Sequence, residues 1–293
     1  MTRPMPAAEV DVSVGLVERL LAEQMPDLAG LPLRLLANGW DNVLLRLGDD
    51  LVVRLPRRAL AAALVDHELR WLPRLAPRLP LPVPVPVRAG RAARGYPWSW
   101  SVVPYLPGDV AARTPPDDEE ATATALGAFL AALHEPAPAD APVNPFRGVP
   151  LPDRADAVLA RLDALPGLDR GAVLAVWHDA AGAPPWSGPP LWLHGDLHPA
   201  NVLVHRGRVS GVIDFGDVTA GDPATDLAVA WTLLPLSCHG ALREAYGGVD
   251  DDTWVRARGW ALALSLAYLA HSADEPVMAA VGRRGLRAVL AAG

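Results

Sequence analysis

The sequence has no lysine. All 26 of its basic residues are arginine, against 33 acidic ones, which leaves a net charge of −7. Any chemistry that needs a cationic side chain must therefore use arginine. The negative balance argues against a nucleic-acid coat and mildly favours neutral or cationic small partners. Cysteine is nearly missing too: Cys238 stands alone, so no internal disulfide forms, which fits a reducing cytoplasm. No apolar run approaches the roughly 20 residues of a membrane span. The opening "MTRPMPAAEVDVS" lacks a charged stretch followed by an apolar core, so neither a membrane segment nor a secretory signal is expected. What is present in quantity is hydrophobic residue, 51% of 293 positions, enough for one large core or two modest ones.

Periodicity divides the chain. A helix is expected over Val12 to Gln24, ahead of Pro26. Three short apolar or alternating runs follow, "LRLLA", "NVLLRLG" and "LVVRLP", the last two joined by the hairpin signal "GDD". "ALAAALVDHELRWLPRL" has apolar residues at helical spacing and is closed by Pro77. "LPVPVPV" suits an edge strand or an extended segment, because proline donates nothing to a ladder. "YPWSWSVVPYL" reads as another strand, broken by "PGD". Beyond it helices dominate: "DDEEATATALGAFLAALHEP", whose acidic start suits the helix dipole, then "ADAVLARLDAL" and "RGAVLAVWHDAAG". Strands return in "LWLHG", "NVLVH" and "VSGVIDF", and from "ATDLAVAWTLL" onward the chain is mostly helical.

The chemistry concentrates in "WLHGDLHPANVLV" and "GVIDFGD". Asp196 and Asn201 lie on a loop between two strands, and Asp214 ends the next strand. The connection "HRGRVSG" makes those strands a hairpin, so Asn201 and Asp214 should meet although 13 residues apart. Hard oxygen ligands of this kind suit Mg²⁺, which keeps waters and is shared with substrate phosphates. The five-residue step from Asp196 to Asn201 is that of a kinase catalytic loop, an Asp that orients or takes a hydroxyl proton and an Asn on the metal. A kinase also needs a strand cation on the phosphates, pinned by a helix carboxylate. Arg54, facing the same way as Val52 in "LVVRLP", and Glu68 on the following helix fill those places. "ANGWDN", residues 37 to 42 and ending at Asn42, would lie over the phosphates. His194 reads as a structural residue under the loop, and His134 as a helix cap or core group. His198 and Asp217 stand nearer to where an acceptor would sit.

Together these motifs resemble the aminoglycoside phosphotransferase family, from about Leu33 to about Trp231. The resemblance implies an α+β, protein-kinase-like bilobal fold. Its parts would be a β-rich nucleotide-binding lobe over 1–106, a hinge at about 103–108, and a mainly helical lobe over 109–293 with the catalytic loop and acceptor-binding helices. It implies Asp196 as catalytic base, Asn201 and Asp214 as Mg²⁺ ligands, and Arg54 with Glu68 as the phosphate-holding ion pair. Pro104 and Leu106 would meet the nucleobase, and Asp226 would brace the catalytic loop. The co-substrate would be ATP or GTP and the acceptor a small hydroxyl-bearing molecule, with neither nucleic acid nor membrane as partner. Family members usually carry lysine where this chain has Arg54.

Two other readings stay open. The fold could serve as a nucleotide-binding module without turnover, which only the arginine at 54 favours. "HGDLH" could be the His-x-Asp-x-His cluster of a zinc hydrolase, which leaves Asn201 and "DFG" unexplained. For the acceptor, Asp217, Asp222 and Asp250 to Asp252 are compatible with an acidic cleft for a polyamine, and "NPFRGVPLPDRADAV" with the C-terminal helices would form its walls.

Overall fold

The computed structural model describes residues 7–272 and 274–292. The chain opens with α1 (Val14–Gln24), which starts later than its apolar pattern suggests because the Ser13 hydroxyl takes the Leu16 N–H and caps it. Strands β1 (Leu33–Asn38), β2 (Asn42–Leu47) and β3 (Leu51–Pro56) come next, then α2 (Ala59–Leu75), β4 (Arg88–Gly90) and β5 (Trp100–Pro104). The strands form one antiparallel sheet in the order β1-β2-β3-β5-β4, with Leu51 opposite Pro104 and Arg54 opposite Ser101. Residues 81–87 do not join it as a strand. Proline at 82, 84 and 86 has no N–H to give, and the first ladder contact is the Val87 N–H on the Val102 carbonyl, 2.8 Å. The edge strand is β4, directly after that run.

Next come β6 (Asp109–Val110), α3 (Glu119–Leu133), α4 (Ala155–Asp163), α5 (Arg170–Gly182), β7 (Leu191–Leu193), β8 (Val202–His205), β9 (Arg208–Val212) and β10 (Thr219–Gly221). The chain ends in α6 (Ala224–Leu227), α7 (Val229–Leu233), α8 (His239–Tyr246), α9 (Asp251–His271) and α10 (Pro276–Ala291). Here β6, β8 and β9 make a small antiparallel sheet, and β10 pairs with β7. These two short sheets hold the loops that carry chemistry: 194–201 leaves β7 for β8, and 213–218 leads from β9 to β10. A helix apolar on all sides belongs inside, and α9 runs through this half with most of its residues buried.

There are two cores. The smaller packs Leu16, Val17, Leu20 and Leu21 of α1 on Leu45, Val53, Leu55 and Trp100 of the sheet. The larger gathers Phe129, Phe215, Trp231 and Trp260, and it also takes Trp71, Leu72 and Leu75 from α2. The helix that bears Glu68 is thus tied to the helical half, although it follows the sheet's third strand. Trp71 stands 4.9 Å from Trp192, ring centre to ring centre, across that junction. Among the described residues, no helix is long and apolar enough to cross a membrane.

Strand β4 lies under Trp100 because Gly90 has no side chain: a Cβ there would come within 1.9 Å of the indole. Gly90→Ala should cost about 3 kcal/mol of stability, since Trp100 is fully buried and has nowhere to retreat. Urea denaturation of the two proteins checks this; equal midpoints would show that the strand edge is free to shift.

Candidate active site

Arg54 is the centre of the cleft. It is 6% exposed, and its guanidinium is shared by two carboxylates. Nη1 donates to Glu68 Oε1 and Nη2 to Asp214 Oδ1, each at 2.6 Å. With the Asn42 amide turned so that its oxygen faces the guanidinium, that oxygen accepts from Nε at 3.2 Å and Nη2 at 3.0 Å. Asn42 is therefore the first residue of β2, buried against Arg54, and not part of the loop over the phosphates. Burial works against the charge of Arg54, but Glu68 and then Asp214 outweigh it and raise its pKa further. One cation between two anions leaves a negative excess. Glu68, 2% exposed, is pushed up to about 7 by burial, against the pull of Arg54. The Phe215 N–H also donates to its carboxylate.

Asp214 owes its position to local backbone. The β8–β9 hairpin places the Ile213 N–H on the Asn201 carbonyl at 2.9 Å, so Asn201 and the start of "DFG" sit side by side. The strand itself stops at Val212, and Asp214 adopts the left-handed region, φ +65° and ψ +67°, ahead of a short 3₁₀ turn. Asp tolerates that region better than most residues. The turn swings its carboxylate out of the sheet, where the side chain is about half exposed, 52%. Asn201 Nδ2 donates to the Asp196 carbonyl at 2.9 Å, which turns the amide oxygen the other way. One amide oxygen and one carboxylate make a hard donor pair that fits Mg²⁺ completed by waters and phosphate oxygens.

The Asp196 loop is held from below. Asp226, fully buried, accepts the N–H groups of His194 at 2.6 Å and Gly195 at 2.9 Å. His134 Nε2 meets the same carboxylate at 3.2 Å, and its Nδ1 lies 2.9 Å from the Tyr246 hydroxyl. His194 accepts the Asp196 N–H on Nδ1 (3.2 Å) and donates from Nε2 to the Ile213 carbonyl (3.0 Å), which fixes its tautomer and links the two functional loops. Gly195 has φ +85°, and a Cβ there would meet the Asp217 carbonyl at 2.2 Å. The loop and the turn after Asp214 close on each other with no room to spare.

Asp196 itself carries partners that the sequence does not announce. Arg147 Nη2 lies 3.0 Å from Oδ1, and His198 Nε2 lies 3.3 Å from Oδ2. The Ala200 N–H donates to His198 Nδ1 at 3.2 Å, so the ring proton sits on the Asp196 side. Burial alone would raise the Asp196 pKa; the positive charges of His198, when protonated, and Arg147 override it and hold the carboxyl well below the usual range. Asp217 goes the other way, pushed up to about 6 by burial and then by the charge of Asp196, with Asn144 Nδ2 donating to it at 2.7 Å. Arg147 and Asn144 come from the connector between α3 and α4. The segment "NPFRGVPLPDRADAV" is expected on the acceptor side, but nothing in the sequence singles out these two residues.

The remaining acids do not form a cleft for a polyamine. Asp222 is buried in a two-pronged pair with Arg256, 2.7 and 3.2 Å. Asp250 caps α9 through the Thr253 N–H, and Asp251 pairs with Arg243. The zinc alternative lacks its ligands too. The ring nitrogens of His194 and His198 are engaged within the loop, and among the described residues no group of three or more His, Cys, Asp or Glu side chains is arranged to hold a metal.

Between the sheet and these loops lies a cavity of about 370 Å³. Gly39 and Trp40 roof it, Val52 and Arg54 line the sheet side, Pro104 and Leu106 the rear, and Ile213 with Asp214 the floor. It is open, largely apolar at the rear and charged at one end, the form of a site for a flat ring that carries phosphates. A second hollow, about 440 Å³, lies between Asp117 and Arg206 on the far side of the hairpin and touches none of these groups.

A family model described as "Phosphotransferase enzyme family" matches residues 32–260. An aminoglycoside 3'-phosphotransferase of Salmonella typhimurium is 29% identical over 143 residues, 46% of this chain and 53% of that one. A viomycin phosphotransferase of Streptomyces vinaceus is 31% identical over 134 residues, 43% of this chain and 40% of that one. The chain spans about half or less of the length of the curated relatives it matches. Among solved structures, the GDP and kanamycin complex of APH(2")-IIia superposes with a TM-score of 0.69 at 21% identity, covering 94% of this chain and 99% of that one. The macrolide 2'-phosphotransferase MphH of Brachybacterium faecium gives 0.61 at 24%, covering 92% and 98%. At these identities the likeness is one of fold: a five-stranded lobe on a mainly helical one.

The raised Glu68 pKa has a stability consequence with a definite sign. Folding shifts this group from its ordinary value of 4.5 to about 7, so between those values the native state binds more proton than the unfolded chain. Its contribution therefore falls as pH rises through that window. The stability of wild type relative to Glu68→Gln should decline from pH 5 to pH 8, read by denaturation of both proteins; a difference that rises with pH would refute the burial argument.

Proposed function

The chain belongs to the phosphotransferase enzyme family, and from that premise we propose that it is a small-molecule O-phosphotransferase using Mg²⁺ with ATP or GTP. The observation that carries the reading is the junction of Arg54, Glu68 and Asp214 at the charged end of the 370 Å³ cavity, with Asp196 across the same loops. Neighbouring folds include GDP, ADP and ATP complexes, which supports a nucleotide in that cavity.

The ring would lie toward Pro104 and Leu106, under Trp40. Arg54 would hold the α- and β-phosphates, with Glu68 fixing its fork. Asn201 and Asp214 would grip Mg²⁺, which when bound neutralises charge on the transferring group. A hydroxyl oxygen of the acceptor attacks the γ-phosphorus and the new P–O bond forms. The bond from that phosphorus to the β,γ-bridging oxygen breaks, and the nucleoside diphosphate leaves with the electron pair. The hydroxyl proton passes to an oxygen of Asp196. Because Arg147 and His198 keep that carboxylate strongly ionised, Asp196 is a weak base. A weak base orients the hydroxyl and takes its proton late, which suits a loose transition state. Most of the rate then comes from positioning.

Asp196→Asn should lower nucleotide-dependent transfer by about 10²–10⁴-fold while Mg²⁺–nucleotide affinity is kept. A coupled nucleotide-consumption assay, screened over aminoglycosides, macrolides and metabolite alcohols, measures the first and calorimetry the second. Turnover that survives the substitution would favour a different base, and binding without turnover in the wild type would favour a nucleotide-binding module. Arg54→Lys tests the departure from the family's usual residue. A single ammonium does not span the two anchors that Nη1 and Nη2 reach, so the KM for nucleotide should rise by about tenfold with a smaller change in kcat. An unchanged KM would mean that charge alone suffices there.

A further inference from the structure

Asp196 has one arginine directly against it, and two more follow along the chain. Arg147 stands on Asp196 Oδ1, and its own Nε is buried with no hydrogen-bond partner. Seven residues on, Arg154 closes the 3₁₀ turn that leads into α4; it is 9% exposed and lies over the ring of Phe146, 5.3 Å from its centre. Seven further, Arg161 reaches from α4 to the Ala263 carbonyl on α9, 3.5 Å. The steps of seven, two helical turns, keep Arg154 and Arg161 on one side.

The charge of Arg147 is met by Asp196, but the charges of Arg154 and Arg161 are poorly compensated. Those acting on Arg161 are Arg154 and Arg147, both repulsive; with burial leading, they bring its pKa down to about 10. Burial and then Arg147 lower Arg154 as well, against the attraction of Asp153. Tyr268, further along α9, completes the wall. Its ring stands 5.3 Å from that of His198, and its hydroxyl is buried without a partner, within the fields of Asp196 and Arg147. Buried polar atoms without partners are costly, and so is a row of like charges in a half-dry wall. An oxyanion entering beside Asp196 relieves both. A polycation beside these arginines does the opposite, and Asp222, Asp250 and Asp251 are committed to Arg256, Thr253 and Arg243.

We infer that the acceptor bears an oxyanion, a carboxylate or a phosphate ester, close to the hydroxyl that is phosphorylated, and that Arg147, Arg154 and Arg161 with the Tyr268 hydroxyl receive it. The inference rests on the phosphotransfer reading for the presence of a hydroxyl, and on the wall itself for the charge. Binding of the anion also draws Arg147 from Asp196 Oδ1, which frees that oxygen for the incoming hydroxyl. Acceptor charge and acceptor orientation are then one event.

Three matched six-carbon probes, glucose 6-phosphate, gluconate and glucose, with kanamycin as a polycationic comparison, test it by calorimetry on the full chain with Mg²⁺ and a non-hydrolysable ATP analogue. At least one anion should bind about tenfold more tightly than glucose, as a charge-assisted pair predicts. Binding of glucose 6-phosphate alone assigns a phosphate, and of gluconate alone a carboxylate. Arg154→Gln and Arg161→Gln should each weaken the anion about fivefold or more. Arg94→Gln, in an exposed pair with Glu23 on the sheet half, should leave it unchanged. The less buried Arg161 and the wild-type panel keep the test decisive should the Arg154 variant not fold. The inference is overturned if neither anion binds, if glucose or kanamycin binds as tightly, or if both arginine variants bind the anion like wild type. Nucleotide consumption in parallel separates the two readings. Arginine-dependent anion binding without Asp196-dependent turnover sinks phosphotransfer and leaves the subsite, whereas turnover with kanamycin alone sinks the subsite and leaves phosphotransfer.

Discussion

One buried guanidinium ties the site together. Arg54 is on the sheet, Glu68 on a helix that packs into the larger core, and Asp214 on a loop between the two small sheets. Three parts of the molecule thus meet on one guanidinium, which reaches them as a planar fork where a point charge would not. Taking an arginine out of water costs several kcal/mol unless it is well paired. This one is paired on two of its edges and hydrogen-bonded by Asn42 on a third. The arrangement holds an excess of one negative charge, which sits where a cationic centre belongs. Burial is the first cause of the raised Glu68 pKa, and the nearby charge of Asp214 adds to it.

The second constraint is mechanical. The Asp196 loop has no freedom beneath it, because Asp226 takes two successive N–H groups and His194 joins the loop to Ile213. Gly195 allows the turn after Asp214 to touch it. The loop and the turn after Asp214 are therefore locked against each other by packing and by the His194 bridge. Such preorganisation is what a reaction driven by positioning requires.

Much of this block was legible in the sequence. Asp196, Asn201 and Asp214 declare themselves because their spacings are local and a hairpin register follows from strand alternation. The pairing of Arg54 with Glu68 was legible one step less directly, through the strand-then-helix order. The start of α1 falls two residues later than its apolar pattern suggests, since a serine cap decides it, while "LPVPVPV" is the extended segment that its prolines allow. Asn42 falls on β2 and not on the loop that "ANGWDN" suggests. The segment with Asn144 and Arg147 and the helix with Tyr268 are legible as acceptor walls, but the individual residues are not. They reach Asp196 and Asp217 from a proline-rich connector and from the far part of a buried helix, and no periodicity encodes a contact made across 49 or more residues. The acids at Asp222 and Asp250 misled for the same reason: their partners, Arg256 and Thr253, are visible only in three dimensions.

The missing lysine reaches beyond composition. Reagents that find nucleotide sites by acylating or reductively coupling an amine beside the phosphates have no target in this cleft. Arg54, walled in by two carboxylates and an amide, is also shielded from the dicarbonyl compounds that attack guanidinium groups. Covalent profiling of nucleotide-binding proteins would pass over this one, and an intact, unlabelled Arg54 would be a sign that its clamp is closed.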